Sequence, residues 1–378
     1  MKKITIFGCM LVFMIVTISA FPSVISEENI IYVDDDGDAD YTSIQDAVDA
    51  AYEGDTIYVY PGIYYEQIVI STTLTLTGED KASTVIDGLQ LEDDVVTIHA
   101  DEVHVSGFTI RNSSSGSGYD SGLKVHQSDS CVIEDNIFTE NSWAAEIRDS
   151  NNCIFSENIV SGNEGGGIHV AMAPFSTITD CTFSDNNKKG IQIFKGNDHV
   201  ISSNTFIDCG LEINSCPPPG NTVGCTVTDN TVNGKPLVYL ENENGKIIRD
   251  AGQVILVQCK GIIVRNLDLS NTAIGVKTYK SALITIVGNT INNNFHGISI
   301  VSSVGIVIRN NEVNNNLYTG VGIYSSGSCR LTFNDISENT YGLYLFESVL
   351  NMPFLNRVYD NSECNYWIDS PFFPSIRF

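Results

Sequence analysis

A short frame that recurs through most of this chain constrains its fold more than any other feature. The frame is apolar-x-apolar-x-x-Asn-x-apolar-x-x-Asn, as in CVIEDNIFTEN from Cys131 and CRLTFNDISEN from Cys329. Most steps between copies are 22 or 23 residues, and each copy tends to continue as Gly-apolar-x-apolar. Self-similarity at such a period is the sequence signature of a solenoid. The first Asn of the frame occurs at positions 136, 158, 204, 230, 289, 311 and 334.

Two kinds of solenoid use this period. Leucine-rich repeats need Leu-dominated strands and a helical or irregular return limb, whereas the apolar sites here are mostly Ile, Val and Phe. A 22-residue unit that already holds two or three short alternating runs leaves no room for a helix. The pattern therefore predicts an all-β fold, a right-handed parallel β-helix, which is a solenoid of 22–23-residue coils. Its strands would stack at roughly 4.8 Å.

Two residue types have predicted places in these coils. Asn tolerates a left-handed backbone at a corner, and stacked Asn side chains can hydrogen-bond from one coil to the next. Some of the cysteines share one apolar register that points inward, which predicts small buried hydrophobes rather than disulfides or metal ligands. These are Cys131, Cys153, Cys225 and Cys329.

Five aspartates crowd into seven residues at the start of the stretch VDDDGDADYTSIQDAV, Val33 to Val48. An EF-hand loop is excluded, because that loop needs Gly at its sixth position and Glu at its twelfth. Counted from Asp34, those positions hold Ala39 and Gln45. The aspartates are predicted to form a polar turn, and cation binding there is left open.

A short amphipathic helix is predicted directly after the aspartates, from about Ser43 to Tyr52. Thr42 and Gln45 have the spacing of a capping box. Because an open solenoid end exposes its core and its strand edges, this element is predicted to be an N-terminal capping helix over the first coil. Its apolar stripe is Ile44, Ala47, Val48 and Ala51.

The repeat breaks once, between Asn230 and Asn266, which are 36 residues apart. Asn-Gly is a strong hairpin signal. Asn244-Gly245 lies between two apolar runs, so we predict a β-excursion at about 233–258 with its turn there.

The N-terminus predicts export. Residues 1–26 carry two lysines and then an apolar run, which is typical of a signal peptide, with an uncleaved anchor as the alternative. No later segment is predicted to span a membrane. Residues 27–120 are predicted to hold the capping helix and first coils, and 121–378 the remaining repeats. A secreted or extracytoplasmic protein follows, at the cell surface or in the periplasm.

Charge narrows the range of partners. The formal net charge is −26, and removal of the two signal lysines leaves about −28. Nucleic acid and anionic lipid are poor partners for such a surface. Divalent cations and neutral or cationic polymers suit it better.

Two segments carry a family resemblance. YTSIQDAVDAAYEGDTIYVYPGIYYEQIVI is similar to the start of many pectin-lyase-like right-handed β-helix proteins. GKPLVYLENENGKIIRDAGQVILVQCKGIIVRNLDLSNTAIGVKT resembles the signature segment of the NosD family, periplasmic β-helix proteins linked to copper-site assembly of nitrous oxide reductase. The same domain occurs in surface proteins of archaea and bacteria where copper is not implicated. The resemblance implies the fold and leaves the activity open.

One face of the predicted β-helix is polar. The x of Gly-apolar-x-apolar points outward, and coil by coil this column is Lys124, Glu146, His169, Gln192 and Glu212. The next outward column includes His126, Arg148 and Phe194. Later coils are predicted to place aromatic rings nearby, at Tyr279, Tyr324, Tyr344 and Phe346. This face predicts binding of polysaccharide or cell-envelope glycan, and an ordinary solvated face is the alternative.

Catalysis has weaker signals. Glu146 and Glu212 would be three coils apart, roughly 14 Å. A glycosidase pair needs roughly 5 to 10 Å. His126 and Arg148 are the candidates for lyase chemistry. We therefore predict a surface or envelope protein that binds polysaccharide or acts as a scaffold without turnover. A polysaccharide lyase and an accessory factor in copper-site assembly are the alternatives.

The ligand types present bear on two metals, calcium and copper. Asp135, Glu157 and Asp180 would stack on successive coils, and their carboxylates suit Ca²⁺, with plain solvation as the alternative. Copper needs clusters of His, Cys or Met. The chain has no His-x-His or Met-x-x-Met, so ligand spacing does not support copper despite the family resemblance.

Overall fold

The computed structural model describes residues 29–114, 120–214, 224–370 and 373–377. The chain forms an all-β parallel solenoid of about 14 turns, as the repeat predicts. One helix lies in the described ranges, so the leucine-rich alternative is excluded. The predicted signal segment, 1–26, lies outside these ranges. No helix within them is long and apolar enough to cross a membrane.

The first part of the chain, 30–232, is called the first solenoid. In chain order its elements are β1 (Ile30–Val33), α1 (Ile44–Ala50), β2 (Thr56–Val59), β3 (Gly62–Tyr64), β4 (Ile68–Ile70), β5 (Thr75–Gly78), β6 (Thr84–Asp87), β7 (Val96–Ile98), β8 (His104–Ser106), β9 (Thr109–Arg111), β10 (Ser121–His126), β11 (Val132–Glu134), β12 (Ile137–Thr139), β13 (Trp143–Arg148), β14 (Ile154–Ser156), β15 (Ile159–Ser161), β16 (Gly166–Ala171), β17 (Thr177–Thr179), β18 (Thr182–Ser184), β19 (Lys189–Phe194), β20 (Val200–Ser202), β21 (Thr205–Ile207), β22 (Gly210–Asn214), β23 (Thr226–Thr228) and β24 (Thr231–Val232).

The remainder, 235–377, is called the second solenoid. Its elements are β25 (Lys235–Glu241), β26 (Ile247–Ile248), β27 (Gln253–Val257), β28 (Ile263–Arg265), β29 (Ile274–Tyr279), β30 (Thr285–Val287), β31 (His296–Val301), β32 (Val307–Arg309), β33 (Glu312–Asn314), β34 (Thr319–Tyr324), β35 (Arg330–Thr332), β36 (Asp335–Ser337), β37 (Tyr341–Phe346), β38 (Met352–Phe354), β39 (Arg357–Tyr359), β40 (Cys364–Ser370) and β41 (Phe373–Arg377).

Parallel sheets run along the solenoid axis. In the first solenoid, a nine-stranded sheet runs from β1 to β23 and a seven-stranded sheet from β4 to β22. A third sheet begins at β3, passes through β24 and continues into the second solenoid from β25 to β41, with 16 strands in all. Sheets of six and three strands complete the second solenoid. The two solenoids therefore share one continuous sheet.

The break in the repeat is a reversal of the chain, and its predicted position was wrong. The hairpin turn is Asn233-Gly234, where β24 pairs antiparallel with β25. Both turn residues have positive φ, 51° and 74°, as the tight hairpin turn with two left-handed residues requires. Asn244 instead makes a parallel bridge to Lys260. The predicted β-excursion is the first coil of the second solenoid, since β25 pairs in parallel with β27.

The capping helix is present, and its cap differs from the prediction by one residue. α1 begins after Ser43, whose side chain accepts the Asp46 N–H at 3.3 Å. Glu66, from the next coil, accepts the first helical N–H groups of Ile44 and Gln45 at 2.9 and 2.8 Å. A carboxylate at this end is favoured because it meets unpaired N–H groups. The predicted partner Gln45 instead binds the neighbouring coil.

The helix covers the first coil as predicted. Ile44, Ala47 and Val48 are buried in the same core as the first strands. The aspartate run before the helix forms the predicted polar turn, where the Asp34 carboxylate accepts the Asp36 N–H at 3.3 Å.

The Asn columns form hydrogen-bonded ladders, but the left-handed residue of each corner is not the Asn. The Asn158 side-chain oxygen accepts the Asn136 N–H at 2.9 Å, and its amide donates to the Ile133 carbonyl at 2.8 Å. The positive φ falls on the preceding residue, for example 53° at Asp135 and 56° at Glu157. The buried Asn side chain provides hydrogen bonds to backbone groups of the neighbouring coils, and the residue before it makes the turn.

Two hydrophobic cores meet at β27. Val254 and Leu256 belong to the core of the second solenoid, whereas the alternate residues Ile255 and Val257 belong to the core of the first. Every residue of β27 is buried. The outward side of the second solenoid thus closes the open end of the first, as a cap would. Cys131, Cys153, Cys225 and Cys329 are buried free thiols, as their register predicts.

Candidate functional site

The five polar residues of the predicted column lie in register on five successive strands. Lys124 of β10 pairs with Glu146 of β13, which pairs with His169 of β16. Gln192 of β19 and Glu212 of β22 continue the column, which is called the polar ladder below. Neighbouring strands lie roughly 4.8 Å apart. The ladder therefore has one polar side chain on each coil.

Glu146 is the centre of a network of charges. Arg148 donates to its Oε1 from Nη2 at 2.6 Å and from Nε at 3.0 Å, and His169 Nδ1 lies 3.1 Å from the same oxygen. Lys124 Nζ lies 3.6 Å from Oε2. Burial alone raises the pKa of Glu146, but the hydrogen bonds from His169 and Arg148 outweigh it and lower the pKa to about 2. This carboxylate is ionised at neutral pH.

A second buried carboxylate extends the network. Asp94 is 4% exposed, and one of its oxygens lies 3.2 Å from Lys124 Nζ. Burial raises the pKa of Asp94 by more than the Ser121 N–H and Lys124 lower it. Burial lowers the pKa of Lys124, but the charges of Asp94 and Glu146 outweigh it and raise that pKa. Lys124 therefore bridges two acids as a cation.

The ladder is a packed polar layer and not the open face that the sequence predicts. Glu146 and Glu212 are only 3% and 4% exposed. The long side chains of Lys124 and Arg148 flank Glu146 and cover it. The second solenoid packs close to Glu212. Lys277, 4% exposed, donates from Nζ to the carbonyl of Ile213, the residue after Glu212. Charged groups are buried here because partners compensate for the lost water.

The two lyase candidates are neighbours in register, on β10 and β13. Arg148 is engaged by the Glu146 carboxylate, so its guanidinium already has a partner. His126 has a buried Nδ1 without a hydrogen-bond partner in the described ranges, and its ring lies 6.1 Å from that of His99. Phe194 belongs to the same outward column, and Lys195 Nζ lies 5.1 Å from its ring centre. Lyase activity stays a prediction.

A corner between the two solenoids holds residues that the sequence reasoning missed. Lys189 Nζ lies 4.0 Å from the ring centre of Phe295, in the second solenoid, and 5.8 Å from that of Trp143, in the first. The Trp143 ring also contacts His169 of the ladder, at 5.5 Å. Gly166 makes room for it, because a Cβ there would lie 2.5 Å from the indole. This corner joins the ladder to the second solenoid.

Aromatic rings continue from this corner on successive coils, and they are called the aromatic track below. Phe295 stacks on Tyr318 at 6.2 Å with 9° between the planes, and Tyr318 meets Tyr341 edge-on at 5.1 Å. Trp367 follows on the next strand, 5.5 Å from Tyr341. Tyr318 is 42% exposed. A row of aromatic faces of this kind is a surface for apolar and C–H-rich ligands.

Three of the four predicted aromatic residues lie beside this track. Tyr344 contacts Tyr341 at 5.8 Å, and Tyr324 and Phe346 contact Tyr344 at 5.7 and 6.4 Å. Tyr279 is the exception, since it is 5% exposed and belongs to the core of the first solenoid. Its strand, β29, lies where the two solenoids pack together, so its outward side is not a surface.

The predicted calcium column lies on successive corners as the repeat requires. Asp135, Glu157 and Asp180 each have positive φ and an exposed side chain. Asp135 pairs with Lys81. Across the described ranges, no group of three or more His, Cys, Asp or Glu residues is placed to hold a metal ion. Calcium binding stays a prediction.

Comparison with known families places the chain. The family described as "Periplasmic copper-binding protein (NosD)" matches residues 48–217 and 218–368. The chain belongs to this family. The boundary between its two NosD matches falls just after β22, so each match covers most of one solenoid.

Individual relatives of this NosD-family chain are more distant. A cell surface glycoprotein of Methanothermus fervidus is 32% identical over 98 residues, which are 25% of this chain and 15% of that glycoprotein. The A-module of mannuronan C-5 epimerase AlgE6 from Azotobacter vinelandii is 16% identical over 84% of this chain and 91% of that one, with a TM-score of 0.41. PfbA, a surface adhesin of Streptococcus pneumoniae, is 14% identical over 81% and 87% of the two chains, with a TM-score of 0.37.

Proposed function

We propose that this NosD-family protein is an extracytoplasmic surface protein that binds polysaccharide without turnover. The bound chain would lie along the aromatic track and across the corner to the polar ladder. Sugar rings present apolar C–H faces and polar hydroxyl edges, and this surface offers aromatic rings beside charged and amide side chains.

The observation that carries the proposal is the alignment of the aromatic track with the solenoid axis. Phe295, Tyr318, Tyr341 and Trp367 follow one another on consecutive coils. Nothing in a repeat requires aromatic side chains outside its core, because outward positions are ordinarily polar. A regular row of rings suits a ligand that itself repeats along one direction.

An extracytoplasmic location is supported by the description of the family and by the name of one relative. The family is described as periplasmic, and the Methanothermus relative is a cell surface glycoprotein. The strongly acidic composition and the apolar N-terminus with its two lysines agree with export.

Turnover is not part of the proposal, because the charged groups of the ladder already have partners. Glu146 is bound by Arg148 and His169, and a general acid–base residue has to reach the proton that it moves. Glu146 and Glu212 are also three coils apart, roughly 14 Å, as predicted from the repeat.

The test is a binding survey with immobilised polysaccharides, followed by analysis of the soluble products. The double variant Tyr318→Ala with Tyr341→Ala should weaken binding about tenfold or more, since two ring faces are lost. Phe354→Ala is the matched control, because Phe354 is 58% exposed on another sheet. Equal loss in both proteins would refute the track. Release of shortened or unsaturated products would make the protein an enzyme, and copper-dependent changes without glycan binding would favour the assembly role.

A further inference from the structure

Lys189 is a cation without a partner in an unusual place. Its side chain is half-buried, yet in the described part of the chain its ammonium has neither a hydrogen bond nor an ion pair. Its contacts are the faces of Phe295 and Trp143. Aromatic faces attract a cation, but they satisfy none of its three N–H donors. Half-buried lysines are ordinarily paired, so this ammonium has free binding capacity.

The nearest acid does not neutralise Lys189. Glu212 is 4% exposed, and its Oε2 accepts a hydrogen bond from Gln192 at 2.8 Å without an ion pair to Lys189. Burial lowers the pKa of Lys189, and the Glu212 charge opposes this shift. The ammonium group of Lys189 and the carboxylate of Glu212 thus interact electrostatically at the corner without forming an ion pair.

A second ammonium group, that of Lys277, adds positive charge at the corner, whereas His296 adds none. Lys277 donates to the carbonyl of Ile213, the residue after Glu212. Burial lowers the pKa of His296 to about 4, and Lys277 and Lys189 lower it further while Glu212 opposes them. At neutral pH His296 is therefore uncharged, so the charged groups of the corner are the ammonium groups of Lys189 and Lys277 and the carboxylate of Glu212. The large negative charge of the whole protein is screened beyond roughly 8 Å in physiological salt.

We propose that this corner recognises a uronate unit of the bound polysaccharide, with the sugar carboxylate on Lys189 and the sugar ring on Phe295. The inference rests on the proposed function and names the substrate class within it. The half-buried ring of Phe295 would contact the sugar ring, whereas Trp143 is only 6% exposed and would sense the ligand without touching it. A charge-assisted contact in a half-buried site favours a carboxylate over a neutral hydroxymethyl group.

The carboxylate is preferred over a larger anion for a structural reason. The buried Glu212 carboxylate acts on this corner through its charge, which repels a second acidic group. A uronate brings a single charge, which Lys189 can meet while the rest of the sugar stays neutral. A densely sulfated chain would bring several charges toward Glu212.

The experiment uses the full chain and a built-in reporter. The protein has two tryptophans, so Trp367→Phe, which keeps an aromatic ring in the track, leaves Trp143 as the only one and its fluorescence reports the corner. The probes are oligosaccharides of galacturonate, glucuronate and mannuronate, each beside its carboxyl-reduced neutral form, together with dextran sulfate. At least one uronate should bind about tenfold or more tightly than its reduced form.

Variants assign that preference to Lys189. Lys189→Met should bring the acidic and reduced forms to equal affinity, whereas Lys189→Arg keeps the charge and should keep the preference. Lys188→Met makes the same change one residue earlier and should leave the preference intact. A melting curve for each variant confirms folding.

The outcomes separate this inference from the proposed function. Equal binding of acidic and neutral forms by the parent protein would overturn the uronate assignment and leave polysaccharide binding standing. A preference that survives Lys189→Met, or equally tight binding of dextran sulfate, would also overturn it. Binding of none of the probes, and of no polysaccharide in the survey, would overturn both.

Discussion

The two solenoids are built from one repeat and differ in what they place outside it. Their corners are the same, since Asn158 in the first and Asn311 in the second each accept a backbone N–H from the previous coil. The equivalent outward columns are different. The first solenoid has Lys124, Glu146, His169, Gln192 and Glu212, and the second has Ile255, Lys277, Ser299, Gly322, Tyr344 and Trp367.

The repeat therefore determines the residues of the core and leaves the outward columns free to vary. In the second solenoid the outer column begins as apolar because the first solenoid covers it, and Ile255 is 1% exposed. Beyond that contact the outer surface becomes aromatic. Substitutions at matched positions should therefore have equal effects on stability where the two solenoids share a feature and unequal effects where they differ.

The largest effect is expected where the solenoids pack together. Ile255→Ala should lower the free energy of unfolding by about 2–5 kcal/mol, because it opens a cavity in the core of the first solenoid from a strand of the second. Val304→Ala, at a site 52% exposed in the second solenoid, should change it by less than about 0.5 kcal/mol. Urea unfolding of both variants measures the difference. Similar values would mean that the solenoids do not share this core.

The corner ladders should be energetically alike in the two solenoids. Asn158→Ala and Asn311→Ala each leave a buried N–H and a buried carbonyl without a partner, so each should cost about 1–3 kcal/mol. Asn244→Ala is the control, since Asn244 is exposed. Thermal and urea unfolding measure the loss of stability in each variant and would show any difference between the two solenoids. A near-neutral result at either ladder position would contradict the shared corner.

Acid should act on the first solenoid through Glu146. Its folded pKa of about 2 lies below the ordinary value of 4.5, so its contribution is present above pH 4.5 and is lost as the pH falls toward 2. Glu146→Gln should remove this dependence and lower stability at pH 7 by on the order of 2 kcal/mol. Ser299→Ala, in the corresponding column of the second solenoid, should leave the acid limb unchanged. Unfolding followed from pH 7 to 2 provides the measurement, and an unaltered acid limb in Glu146→Gln would count against the network.

The smallest effect concerns calcium, which we propose to bind weakly at the corners of the first solenoid. Asp135, Glu157 and Asp180 supply hard oxygen ligands there, whereas the second solenoid has Phe333 and Leu355 at the matching turns. Calcium should raise the melting temperature, by a stabilisation below about 1 kcal/mol, and Glu157→Gln should abolish the gain. Identical melting in calcium and in chelator would show that the column is only solvated.

The fold could be predicted from the sequence because each repeat carries the signals for its own strands and corners. The alternation of Ile and Val, the Asn spacing and the helix stripe at Ile44 each depend on residues a few positions apart. The reversal was assigned to Asn244-Gly245 because two Asn-Gly pairs fall in one segment and the sequence offers no means of choosing. The run QVILV in β27 was a usable signal, since a strand apolar on both faces is buried on both.

Only the part of the candidate site that depends on local spacing could be predicted from the sequence. The ladder follows from the register, so Glu146 and His169 could be placed together. The corner depends on two solenoids meeting, and no spacing in the sequence brings Lys189 to Phe295. The burial of Glu212 was missed because an outward position of a repeat is solvated only when nothing packs against it.

Residues of both solenoids are proposed to form one polysaccharide-binding surface. Hydroxyl-radical footprinting of the protein, with and without a polysaccharide that it binds, tests this directly. Lys189 of the first solenoid and Tyr318 and Tyr341 of the second should be protected together, while Phe354 on another sheet keeps its reactivity. Protection confined to one solenoid, or protection of Phe354 in place of the track, would contradict the account.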